Sequence, residues 1–300
     1  MIIDCHTHVW DGTGQLGSGA EAHLRRQGLR EGVSLSASPA DHGLAARCVD
    51  KTLVFAFRCA RSGACVPNEF VARYVSGSGG RVLGVAAADP ADDDAAAQAA
   101  AVLDGGGFCG LTVSPAVQDF HPADTRAMRI YEAAAQRGRP VFFCQGAHFP
   151  GYGRMEYARP SLLDEIAFEF PGLKIVVSSL GHPWVEECVT LIGRHLNVFA
   201  DLAGLLCRPW QAYNALVLAH QFDVMDKLLF ASDFPFCTPA EAIEGIYRLH
   251  ELTQGTNLPS VPREALRSIV ERDALAALGL ASDFRPAAAA RKEQEEEIPA

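Results

Sequence analysis

MIIDCHTHVW, residues 1–10, opens the chain with a short apolar run at 1–5 that leads directly into His6-Thr7-His8. Residues two apart on an extended chain point to the same side, so both imidazoles can face one space and share one metal ion. Seven more β-branched and aliphatic runs follow: TLVFAF (52–57), RVLGVA (81–86), FCGLTV (108–113), PVFFC (140–144), KIVVSS (174–179), LNVFAD (196–201) and KLLFA (227–231). Their near-continuous apolarity suits strands covered on both faces. The segments between them read as helices. One starts at Pro122, carries Met128, Tyr131 and Ala135 on one face, and stops at Gly138 and Pro140; another lies between Pro160 and Pro171 with Leu162, Leu163, Ile166 and Phe170 as its stripe. Eight βα units without a Gly-rich dinucleotide turn after the first strand predict an α/β fold, a distorted TIM (β/α)8 barrel. The barrel is expected over residues 1–280, with a long polar, Gly-rich loop at 9–44 after the first strand. Residues 281–300 read as a low-complexity, charged and disordered tail.

Hydrophobic residues make up 49% of the chain and charged ones 21%, enough for a large core and incompatible with wholesale disorder. The net charge of −10 comes with no Lys/Arg cluster longer than a pair, so a nucleic-acid partner is not expected. No apolar run approaches the roughly 18 residues of a membrane span, and the start has neither a basic region nor a small-residue cleavage site. The nine cysteines include no CxxC, which argues against a disulfide framework and a zinc ribbon and predicts a reduced, cytoplasmic chain.

Catalytic groups of such a barrel come from the C-terminal ends of its strands. There the first strand offers His6 and His8, and the eighth, in Ala231-Ser232-Asp233-Phe234-Pro235, offers a carboxylate. The first and eighth strands are neighbours once a barrel closes, so Asp233 reads as a metal ligand or base rather than a turn former. Arg58, at the end of the second run, is a candidate clamp for a substrate carboxylate. His121 follows the fourth run and is a further substrate-binding candidate. Asp201 closes the seventh, as a partner for a ligand or a cap for the next turn.

DCHTHVW, RPSLLDEIAFEFPGLKIVVSSLGHPWVEE, NVFADLAGL and LLFASDFPF together resemble the amidohydrolase superfamily, specifically the amidohydrolase-2 branch of aminocarboxymuconate-semialdehyde-decarboxylase-like enzymes, from residue 1 to about 280. The resemblance implies a mononuclear divalent metal, zinc or manganese, and hydrolysis or non-oxidative decarboxylation. It matches His6 and His8 to the HxH ligands and Asp233 to the aspartate that binds the metal and moves a proton. Two positions depart from the pattern. Cys144 stands where a fifth-strand histidine is usual, and Ser179 stands where a sixth-strand histidine precedes Leu-Gly. A thiolate is a competent zinc ligand at about 2.3 Å, which keeps Cys144 in the ligand set. A hydroxyl does not exchange protons near neutral pH as imidazole does, which leaves Ser179 a substrate contact and turns attention to His148 and His182, each in the loop just above a strand lacking its histidine. Gly181-His182-Pro183-Trp184 reads equally well as a helix start.

Three functions compete. A metal-dependent hydrolase would act on a small carboxylated or cyclic ester or amide through a metal-activated water, with Asp233 taking the proton. A carboxy-lyase of the same family would anchor a substrate carboxylate and release carbon dioxide, with Arg58 as the anion clamp. A catalytically degenerate barrel would keep a binding or assembly role. The partner is a small molecule in the first two, with neither nucleic acid nor membrane involved, and a homodimer is expected by analogy alone.

Overall fold

The computed structural model describes residues 1–17, 22, 35–144, 153–281 and 284. Eight strands form the sheet: β1 (Ile3–His8), β2 (Lys51–Phe55), β3 (Val82–Ala87), β4 (Phe108–Val113), β5 (Val141–Phe143), β6 (Ile175–Val177), β7 (Val198–Asp201) and β8 (Leu228–Leu229). Their spatial order follows the chain and neighbours run parallel. The last stave closes on the first. Cys5 N–H donates to the Phe230 carbonyl at 2.9 Å, Asp233 N–H to His6 at 3.0 Å and His8 N–H to Phe234 at 2.9 Å. The result is the expected (β/α)8 barrel.

Between the strands lie α1 (Pro39–Ala45), α2 (Asn68–Ser76), α3 (Ala95–Asp104), α4 (Thr125–Gln136), α5 (Asp164–Glu169), α6 (Val185–Arg194) and α7 (Pro209–Gln221), and after the last strand come α8 (Pro239–Arg248) and α9 (Arg263–Glu271). α4 begins later than Pro122 suggests because Asp124 caps it, its carboxylate accepting from Arg126 N–H at 2.9 Å. α6 begins after Trp184, and the cis His182-Pro183 unit lies outside it. Within the excursion after β1, Ser38 caps α1, which docks on the barrel through His42. The second run ends as a barrel strand at Phe55. Arg58 then falls beyond Ala56 in a small antiparallel hairpin, Phe57–Cys59 with Ala64–Val66. The tail from Arg285 lies outside the described residues.

Side chains alternate between two apolar compartments. Leu53, Phe55, Leu83, Val85, Phe142, Val176, Phe199 and Leu229 pack inside the barrel with Ile3 and Cys5. Val54, Ala86, Val141, Val177 and Ala200 face the helix layer, and so does Val9. Ile3 and Cys5 therefore point inward while Val9, of the same parity, points outward. The switch lies in a bulge: β1 pairs Asp4 with Thr52 but Thr7 with Val54, one extra residue on β1. A bulge re-aims side chains, and this one turns His6 and His8 into the barrel mouth. Without it a strictly alternating β1 would present Thr7 there.

One disulfide corrects the fully reduced chain expected from cysteine spacing. Cys207, after β7, is bonded to Cys237, after β8, with Cα atoms 6.2 Å apart. Spacing in sequence carries no information about such a pairing. Cys5, Cys48, Cys59, Cys65, Cys109, Cys144 and Cys188 remain thiols. No helix among the described residues is long and apolar enough to cross a membrane.

His42 on α1 is 1% exposed, and burial pushes its pKa down to about 4. An unfolded histidine titrates near 6.5, so His42 contributes fully above that value and its contribution is lost as pH falls toward 4, about 3 kcal/mol in all. Urea unfolding from pH 7 to 4 is expected to lose stability less steeply in His42→Gln. An unchanged acid slope would contradict this.

Candidate metal centre

Three donors from the two ends of the chain converge at the barrel mouth. The ligand atoms of His6, His8 and Asp233 all lie within 4.8 Å of one another, close enough to bind one ion. β1 supplies the imidazoles, with ring centroids 5.0 Å apart. The turn after β8 supplies the carboxylate, whose Oδ1 is 3.4 Å from His8 Nε2. Asp233 holds a left-handed backbone, φ 70°, that side chains rarely adopt. Such a conformation persists only where its surroundings impose it. Here the imposition is the bond from Asp233 N–H to the His6 carbonyl, which ties carboxylate and imidazole to one seam.

His6 is oriented from three sides. Its ring stacks on Phe55 at 4.0 Å between centroids, the two planes nearly parallel. Its Nδ1–H donates to Asp201 Oδ2 at 2.9 Å, which leaves Nε2 to face the mouth. Cys144 Sγ lies 3.8 Å from that Nε2 and 3.2 Å from Thr112 Oγ1. Cys144 therefore lies against His6 but outside the close group of three donors. Asp201 combines both roles that its place in the sequence suggested. While holding His6 it also accepts from Ser179 N–H at 2.9 Å and Ala203 N–H at 3.0 Å.

Burial and charge act in opposite directions on the two imidazoles. Burial works against the charged form of His6, but the buried Asp201 carboxylate and Cys144 outweigh it and hold the pKa well above the ordinary value. For His8 burial prevails, with His6 adding to it, and the pKa falls despite Asp233. Two residues before His6, the buried Asp4 carboxyl is pushed up to about 6 by desolvation, against hydrogen bonds from Ser232 and the His6 amide. Its Oδ1 accepts from Ser232 N–H at 2.9 Å, so it pins the same seam from beneath.

The remaining candidates separate. Ser179 sits at the end of β6, its amide held by Asp201, in a left-handed conformation at φ 55°. His182 follows three residues on, half-buried; burial and the Arg208 charge lower its pKa. Arg208 stands just before α7 without a side-chain cap bond, and had no signal in the sequence beyond being one exposed arginine among many. Arg58 is engaged elsewhere: Asp92 takes its guanidinium through two contacts, one of 2.6 Å from Nη2. His121 is exposed, its ring edge-on to Tyr157 at 5.7 Å. His148 lies outside the described residues. Cys207, Cys237 and Glu241 form another close group, but its two sulfurs are bonded to each other.

Residues 3–280 match the family model described as amidohydrolase. The chain belongs to the amidohydrolase family, as an enzyme of its hydrolase or carboxy-lyase type. A comparison with curated proteins finds no match. Among solved structures, a TIM-barrel protein of Bordetella bronchiseptica is similar at 22% identity and TM-score 0.67, over 93% of this chain and 99% of that one. The 5-carboxyvanillate decarboxylase of Sphingomonas paucimobilis is similar at 15% identity and TM-score 0.65, over 93% and 99%. An amidohydrolase of Burkholderia multivorans with bound zinc is similar at 14% identity and TM-score 0.66, over 94% and 100%. At these identities the likeness concerns the fold. The family is metal-dependent.

Gly204, in the turn after β7 with φ +69°, leaves the space that the Asp233 carboxylate occupies; a Cβ there would meet Asp233 Oδ2 at 2.9 Å. Gly204→Ala is expected to cost about 1–2 kcal/mol of stability through its left-handed backbone. It is also expected to weaken divalent-metal binding several-fold by displacing Asp233, as read by chelator competition. Metal binding equal to the parent would contradict this placement of the carboxylate.

Proposed function

We propose that the protein is a metal-dependent hydrolase acting on a small carboxylated or cyclic ester or amide, with His6, His8, Asp233 and Cys144 holding one divalent ion. The observation that carries this reading is the convergence of two imidazoles and a carboxylate within 4.8 Å at the mouth of a closed barrel. The donor set favours zinc over manganese, because two nitrogens and a soft sulfur suit zinc, whereas manganese prefers oxygen. Bound there, the ion supplies Lewis acidity, polarising a carbonyl and drawing the pKa of water from 15.7 toward about 7.

The protein's own groups do the rest. Asp201 holds His6 with its Nδ1–H engaged, so the Nε2 lone pair points into the mouth. Asp233 is only partly buried and reaches both the His8 side and the open mouth. It accepts the proton as the water oxygen bonds to the substrate carbonyl carbon, and returns that proton to the departing oxygen or nitrogen as the acyl bond breaks. His182, kept neutral by burial and by Arg208, stands in the loop above the serine that replaces the usual histidine. It is assigned to the substrate, as hydrogen-bond partner to the leaving group. The cytoplasm remains the proposed compartment, supported by seven free thiols among nine cysteines.

Non-oxidative decarboxylation is the second reading. It is favoured by the shared fold with a decarboxylase, and by the Arg208 charge beside His182, which offers an anion contact in place of the engaged Arg58. The two are separated by running carboxylated lactones, cyclic amides and aromatic carboxylates through the zinc-loaded enzyme in H2¹⁸O. Hydrolysis puts ¹⁸O into the product acid and releases no carbon dioxide; carbon dioxide release without ¹⁸O uptake overturns it. On the responding substrate, Asp233→Asn is expected to lower kcat about 10²- to 10⁴-fold. Asp201→Asn is expected to weaken zinc binding about 10- to 100-fold although it touches no ion. Parent-like kcat in the first, or parent-like zinc affinity in the second, would contradict the assigned role.

A further inference from the structure

The bulge that turns His6 and His8 inward leaves Thr7 between them on the opposite face of β1, where a chain of polar side chains meets it. Thr7 Oγ1 lies 2.7 Å from the Leu53 carbonyl, His42 Nε2 lies 2.9 Å from Thr7 Oγ1, and Tyr74 Oη lies 2.8 Å from His42 Nδ1. Thr7 and His42 are buried, at 0% and 1% exposure.

Proton bookkeeping fixes every direction in this chain. A carbonyl only accepts, so the single Thr7 proton goes to Leu53. Thr7 Oγ1 must then accept from His42, which places the imidazole proton on Nε2. Burial keeps His42 neutral, so Nδ1 is an acceptor and the Tyr74 hydroxyl donates to it. Tyr74 on α2, His42 on α1 and Thr7 on β1 thus form one polarised line into the Leu53 carbonyl of β2. The aromatic edges of His42 also contact Tyr74 and Phe234, centroids 5.5 Å and 5.3 Å away, and Phe234 directly follows Asp233.

Leu53 lies opposite the bulge, between the paired residues Thr52 and Val54. The Thr7 hydroxyl fills the place of a ladder bond there, and His42 and Tyr74 hold it. We infer that Tyr74, His42 and Thr7 are positioning residues that lock the β1 bulge and thereby set the separation of the His6 and His8 ligand nitrogens. This rests on the metal-centre reading above. None of the three touches the ion or the substrate. Their effect is geometric: if Thr7 lets go of Leu53, the extra residue of β1 is free to move along the strand, and a one-residue slip exchanges the inward and outward faces.

The test uses the full chain, stripped of metal and titrated with Zn²⁺ alone, with Co²⁺ substitution to read ligand geometry in the visible spectrum. His42→Ala and Thr7→Val are expected to raise the Zn²⁺ Kd about tenfold or more and to shift the Co²⁺ bands. Thr7→Ser, which keeps the hydroxyl, is expected to stay within about threefold of the parent on the same scale. Tyr74→Phe provides an arm that removes one hydroxyl and no packing, with several-fold weaker binding expected. Tyr213→Phe is its control: that buried tyrosine donates to the Pro259 carbonyl at 2.7 Å, outside the chain, and its loss should lower melting temperature without moving Zn²⁺ affinity. If all variants of the chain bind Zn²⁺ as the parent does and only melt earlier, while His6→Ala loses the metal, the inference is overturned and the metal centre stands. If His6→Ala also keeps Zn²⁺ at parental affinity, the metal centre itself fails and the inference with it.

Discussion

The bond from the Asp233 amide to the His6 carbonyl closes the barrel and builds its candidate site in the same step. It lies on the seam between the first and last staves, where no helix or loop connects the two strands and hydrogen bonds join their backbones. Because the seam fixes both backbones, the Asp233 carboxylate and the His6 and His8 rings meet without long side chains having to search for one another. The left-handed backbone of Asp233 is the local cost of this arrangement, of order 1–3 kcal/mol for a non-glycine residue. The pairs from Cys5 to Phe230 and from His8 to Phe234 on either side are what offset it.

Around that seam, fully buried carboxylates act as struts. Asp201 accepts from His6, Ser179 and Ala203, and so ties the mouth of β1 to the ends of β6 and β7. Asp4 receives the Ser232 amide and keeps its other oxygen, Oδ2, without a partner among the described residues. A buried carboxyl in that state resists ionisation, which is the cause of its raised pKa. The pair shows how one residue type serves differently: Asp201 orients the His6 imidazole, whereas Asp4 holds the backbone of the seam.

The barrel was legible because apolar runs at strand length separated by amphipathic stretches leave few other architectures, and FCGLTV maps onto β4 without adjustment. His6, His8 and Asp233 were legible through their places at the ends of strands that a barrel must bring together. Cys144 was legible as a substitution in a known pattern, and it does lie against His6. What the sequence hides is contact across the chain. The one-residue bulge in β1 arises from pairing with β2 and has no local signature in DCHTH. Asp92 captures Arg58 from 34 residues away, and His42 sits in a stretch whose glycines and charges read as loop. The disulfide is hidden for the same reason, since Cys207 and Cys237 are brought together only when β7 and β8 stand side by side.

X-ray absorption on the zinc-loaded protein tests the centre most directly, because it counts the atoms around the ion. The expected result is one zinc per chain with two imidazoles, one sulfur at about 2.3 Å and the remaining nitrogen and oxygen donors at about 2.0–2.2 Å. A protein that retains no stoichiometric zinc, or an ion whose shell lacks the two imidazoles, would contradict a metal centre built on the seam between the first and last strands.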